Sequence, residues 1–231
     1  MALVTPEDKL CDIIIAEPAI IPLVNRFDIS LGVGDKTIAE ICANKGINID
    51  LFVTIVNAYI NESFSFEKSF ESFGAQEIIS YLRMTNNAYL RFQLPNIERH
   101  FSALISHSTG NNNLELLFSL FQEVKQEITS RVENDEQVWF KEILEHENSA
   151  PVGQLDIDVD ENIEFDTTIE DKICDLKNMF VIYLKGDYDR NLCHAVLFAI
   201  ISLEKDLKQN DRIRNNVLYP LAAALKKQYQ K

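Results

Sequence analysis

From Ala75 onward the chain repeats one pattern four times: long stretches with apolar residues spaced by threes and fours, over roughly 75–108, 113–146, 162–184 and 190–229. That spacing gathers side chains on one face of an α-helix. The short polar breaks STGNNN and LKGDYD, within the first and last pairs, are the connections expected of antiparallel neighbours; the longer NSAPVGQLDIDVDEN crosses between the two hairpins. The pattern predicts an all-α protein whose larger domain, 75–231, is an up-down-up-down four-helix bundle. Only seven Gly and six Pro in 231 residues, and short clusters of β-branched residues in place of alternating runs, agree with that class.

Residues 1–62 read as a smaller helical domain. Thr5-Pro6-Glu7 is a helix start, with Thr5 as N-cap and Pro6 at the first helical position, continued by Leu10, Ile13 and Ile14 and interrupted at Pro18 and Pro22. After the turn LGVGDKT, a second helix runs from Ile38 to Gly46. A third runs from Ile49 to Ile60, capped by Asn48 or Asp50. The polar, Phe-bearing stretch 61–74 reads as a linker packed onto another element.

Charge and motifs exclude several function classes. A formal net charge of −14 repels phosphate backbones and anionic headgroups, so neither nucleic acid nor membrane is an expected partner. Cys11, Cys42, Cys174 and Cys193 lie far apart without CxxC spacing and read as buried free thiols in a reducing compartment. MALVTPEDKL lacks the basic and apolar regions of an export signal, and no window suits a membrane span, which predicts a cytoplasmic location. Asp156, Asp158 and Asp160 fall at positions 1, 3 and 5 of an EF-hand-like loop. Glu161 stands where the glycine is needed and Thr167 where the bidentate Glu is needed, which leaves a solvated linker. No Ser/His/Asp order, phosphate loop or paired Cys/His motif supports catalysis, and His100, His146 and His194 read as surface or satisfied side chains.

The informative features are polar interruptions of the apolar stripes. On the second long helix the stripe is Leu117, Phe121, Val124, Ile128, Arg131, Asp135, Val138; on the fourth it is Val196, Ile200, Leu203, Leu207, Asn210, Arg214, Val217, Leu221. The third reads Asp166, Ile169, Ile173, Leu176, Phe180, and the first Ile79, Leu82, Asn86, with His107 near its other end. A single polar residue can mean that a stripe is drawn one position off. Pairs four apart on two helices point instead to convergence at one level, where bundles of this kind place metal sites.

The chain resembles the RIC (repair of iron centres) di-iron proteins, which join a ScdA-type N-terminal domain to a hemerythrin-like bundle. The resemblance rests on DIIIAEPAIIPLVNRFDIS, LGVGDKTIAEIC and KGINID, then on LRFQLPNIERH, EVKQEITSRVENDEQVWF, IEDKICDLKNM and SLEKDLKQNDRIRNNVLYP, and spans Leu10 to Leu225. The family holds two irons with one His near each end of the first helix, His-x-x-x-Glu on the second, a His opening the third and His-x-x-x-Glu on the fourth. By motif, those places are held here by Asn86, His107, Arg131, Asp135, Asp166, Asn210 and Arg214. Where the family has a Cys-Cys-Gly-Gly turn, this chain has Leu31, Gly32, Val33 and Gly34.

A guanidinium offers a metal no lone pair and keeps its proton, so Arg131 and Arg214 in such a cavity oppose a cation. The expectation is a buried network in which Arg131 and Arg214 pair with Asp135 and Asp166, while Asn86, Asn210 and His107 satisfy the remaining donors and acceptors. The resemblance then implies a non-catalytic, metal-free relative without a cofactor, acting as a binding or regulatory protein in the stress response. Its partner would be another protein, including a metal-binding relative, or a second copy. The alternative is an iron-binding protein with a reduced ligand set that supplies iron for iron-sulfur cluster repair under oxidative or nitrosative stress.

Overall fold

The computed structural model describes residues 3–61, 63–64, 72–108, 111–149 and 167–229. Among them the chain is all-helical, with no strand and one isolated antiparallel bridge between Lys9 and Thr37. The helices are α1 Leu10–Ala16, α2 Ile21–Arg26, α3 Ile38–Lys45, α4 Ile49–Ile60, α5 Ala75–Ala88, α6 Leu94–His107, α7 Asn112–Asn134, α8 Phe140–Ser149, α9 Thr168–Asn178, α10 Arg190–Ile213 and α11 Tyr219–Tyr229. π-helical turns follow α5 (Tyr89–Gln93), α7 (Asp135–Trp139), α9 (Met179–Tyr183) and α10 (Arg214–Leu218). None of these helices is long and apolar enough to cross a membrane.

The chain divides into two compact units: Met1–Thr85 with Phe140–Glu161 and Gln209–Lys231, and Asn86–Trp139 with Asn162–Lys208. In the first, local capping sets the short helices. Thr37 and Glu40 form a reciprocal capping box that opens α3, and Gly46 closes it at φ 65. Asn48 caps α4 through Asp50 and Leu51 N–H. Thr5-Pro6 does not start α1 as expected: Thr5 is held in a turn with Asp8, and α1 begins at Leu10 without a side-chain cap. Within α4, buried Asn57 exchanges two hydrogen bonds with the backbone of Val4, at 2.8 and 2.9 Å, and so fastens the N-terminal segment. α3 packs on α4, and α8 packs on α11.

The second unit has α6 against α7 and α7 against α9. Phe101 is its centre, with ring neighbours Phe118, Phe121 and Phe180 at 5.4 to 5.5 Å. The rows Leu117–Phe121–Val124–Ile128 and Val196–Ile200–Leu203–Leu207 are buried there, as their spacing predicts. Of the thiols, Cys42 and Cys193 are buried, Cys11 is half-buried and Cys174 is exposed, so the expectation of burial holds for Cys42 and Cys193, is met only in part by Cys11 and fails for Cys174, which lies off α9's inward row of Ile169, Ile173 and Leu176. The acidic crossover with Asp156, Asp158 and Asp160 lies outside the described residues.

Candidate functional site

The π-helical turns determine where the polar positions fall. In a π turn the inward-facing step lengthens to about five residues. On the second long helix the buried row therefore runs Ile128, Val132, Asp135, Phe140. Asp135 opens the turn and is 1% exposed, as its place in the stripe predicts. Val138, placed by the sequence in the same stripe, is 47% exposed, and Arg131 is half-buried while Val132 takes the inward position. In this second unit, Asn86 lies in the last turn of α5 and its Nδ2 donates to Asp135 Oδ2 at 3.4 Å. The structure thus brings two of the expected positions together as an amide and a carboxylate.

His107 does not join them. The inward row of α6 is Leu94, Ile97, Phe101 and Leu104, followed by buried Ser108. His107 lies off it and is exposed, with Nδ1 2.8 Å from Ala103 O and 3.1 Å from Ser106 Oγ. Contrary to expectation, it takes no part in a buried network. Asp166 lies outside the described residues.

In the first unit Asn210 is 2% exposed. Its Oδ1 accepts the Tyr81 hydroxyl at 2.8 Å and stands 3.5 Å from Thr85 Oγ1; the Tyr81 oxygen in turn accepts Arg26 Nη1 at 3.5 Å. Arg26, on α2, is itself 5% exposed. Phe27 stacks on Tyr81, ring centroids 5.3 Å apart, and meets the edge of Phe52 of α4 at 4.9 Å. The result is a buried polar chain walled by aromatic rings.

Arg214 falls in the π turn after α10, half-buried, with Nε 3.9 Å from the Asp211 carboxylate one turn earlier; Ile213 takes the inward position. The guanidinium that closes on a helix end is Arg212. Its Nη1 donates to Ala58 O at 2.7 Å, Asn61 O at 3.3 Å and Gln209 Oε1 at 3.0 Å, capping the carbonyl end of α4. No spacing or motif in the sequence singles out Arg26 or Arg212. Tyr81 alone carries a usable signal, because a buried tyrosine requires a partner for its hydroxyl.

The turn Leu31-Gly32-Val33-Gly34 is exposed at Leu31, and both glycines adopt positive φ, 91 and 65, which their lack of a Cβ permits. Elsewhere in the second unit Glu204 is nearly buried between Lys177 and Lys208. Burial pushes its carboxyl pKa up, but the hydrogen bonds and positive charge of the two lysines outweigh that and hold it below the ordinary value. Asp206, on the next turn face, is 1% exposed and accepts Gln93 Nε2 at 2.9 Å.

Among the described residues, no three His, Cys, Asp or Glu side chains come together as a cation site would require. Comparison with protein-family models and with curated proteins finds no match.

Proposed function

We propose that this protein is a divergent, metal-free relative of the iron-sulfur cluster repair di-iron proteins, a cytoplasmic binding or regulatory protein of the stress response and not an enzyme. Its long helices form the up-down-up-down, hemerythrin-like arrangement in this reading. The observation that carries it is Asn210. At a position where the resemblance puts an iron-ligating His, the amide oxygen is committed to the Tyr81 hydroxyl inside a buried polar chain. The other positions support the same reading. Asp135 is engaged by an amide, His107 faces solvent, and Arg131 and Arg214 have no lone pair for a metal. These side chains do not fit an iron pair.

The activity that remains is recognition of another protein, either a second copy or a metal-binding relative. One observation favours the alternative of an iron carrier with few ligands: Asp135 keeps a carboxylate at a buried position. Expression with excess iron, followed by measurement of bound metal and near-ultraviolet absorption, decides between them. The metal-free reading expects no stoichiometric iron; about two irons per chain with an oxo-bridged spectrum overturns it.

A further inference from the structure

Three features of the first unit converge on the same short turn. Residues 209–212 send Asn210 to Tyr81, and through Tyr81 to Arg26 at the end of α2; they send Arg212 to the carbonyl end of α4; and Phe27, next to Arg26, lies between the Tyr81 ring and Phe52 of α4. Every polar group in the chain from Arg26 to Asn210 is buried. Separating any pair costs two buried groups a hydrogen bond, and a guanidinium cannot shed its charge to compensate. Bonds in such a chain polarise one another, so the loss of one weakens the rest.

We propose that Tyr81 is the pivot of a buried latch through which the 209–213 turn of α10 and the N-terminal helices α2 and α4 open and close as one. The hydroxyl accepts from Arg26 and donates to Asn210, so the two halves of the chain meet on one oxygen. Arg212 is the second hasp, acting on α4 through different atoms. Two ties from one turn to two helices make the motion of either helix conditional on that turn. This device stands apart from the question of iron.

Native-state hydrogen exchange on the full chain tests it. In Tyr81→Phe the ring stays and the hydroxyl goes. Amides of α2, α4 and 209–213 then exchange roughly tenfold faster, and by a common factor, while α7 and α9 keep their parent rates. Arg212→Ala guards against a Tyr81 variant that fails to fold. Its bonds to Ala58 and Asn61 lie on the α4 side, away from α2, yet its loss accelerates α2 as well. Acceleration of α4 without α2 in Arg212→Ala, unchanged rates in α2 and α4 of a folded Tyr81→Phe protein, or equal acceleration of every helix overturns the latch.

Discussion

Gly74 stands so close to Glu147 that a Cβ built on the glycine would lie 2.7 Å from the carboxylate Oε1. The approach has a purpose: Glu147 Oε1 accepts Ala75 N–H at 2.7 Å and Oε2 accepts Gln76 N–H at 3.1 Å, so a residue 72 positions away caps the start of α5. Glu147→Ala is expected to cost about 1–2 kcal/mol by denaturant titration. Gly74→Ala can relieve its clash by expelling the flexible carboxylate, so its cost is capped at about the same amount. In a Glu147→Ala background Gly74→Ala should be nearly silent, and additive costs would show that the glycine is needed for some other reason.

Asn210 and Tyr81 share one hydrogen bond in a buried setting. Asn210→Ala and Tyr81→Phe are each expected to lower stability by about 1–3 kcal/mol. The double substitution should cost clearly less than the sum, because both remove the same bond. Thermal or urea unfolding of the four proteins measures this. Full additivity would mean that the contact contributes nothing.

The thiols separate by access. Burial pushes Cys42 up to about 11 and raises Cys193 as well, so both remain protonated thiols at neutral pH, whereas Cys174 is exposed. Brief maleimide labelling of the native protein, mapped by mass spectrometry, should modify Cys174 first and reach Cys42 and Cys193 only in denaturant. Early labelling of Cys42 would contradict its packing.

Glu204 makes part of the stability depend on pH. Its pKa is lowered in the folded chain, so the stabilisation is complete above the unfolded value near 4.5 and is lost as pH falls through the lower folded value. Glu204→Gln should cost on the order of 2 kcal/mol near neutrality and progressively less in acid. Denaturant midpoints followed from neutral pH into that acid range read the convergence. Parallel curves for parent and variant would assign the acid sensitivity to other carboxylates.

The helical class and the positions of the apolar rows were legible in the sequence because three- and four-residue steps are a direct image of helix geometry: Leu117 to Ile128 and Val196 to Asn210 are buried as spaced. The correspondence ends where the helix itself changes pitch. Tyr89 to Leu94 and Asp135 to Phe140 are five-residue steps between buried positions, and no propensity announces such a turn, so regular spacing puts Val138 inward where the fold exposes it. Arg26 and Arg212 escaped for a different reason. The burial of Arg26 and the capping bonds of half-buried Arg212 depend on partners far along the chain, Tyr81 and the end of α4, which no local pattern encodes. Arg214, expected to face Asp135 and Asp166, stands 3.9 Å from Asp211 on its own helix.

A π-helical turn is, in effect, one residue that a helix has absorbed without making a loop. Removing a residue between Arg214 and Leu218 would restore ordinary winding and leave α11 with its phase about the helix axis unchanged, still presenting Leu221, Ala224 and Leu225 inward. The same deletion between Leu117 and Ile128, where winding is already regular, would rotate everything beyond it by about 100°. Deleting Asn215 should therefore leave a cooperative melt close to the parent's, whereas deleting Gln122 should abolish it. The turns mark the places where this chain can change length by one without changing what each helix faces.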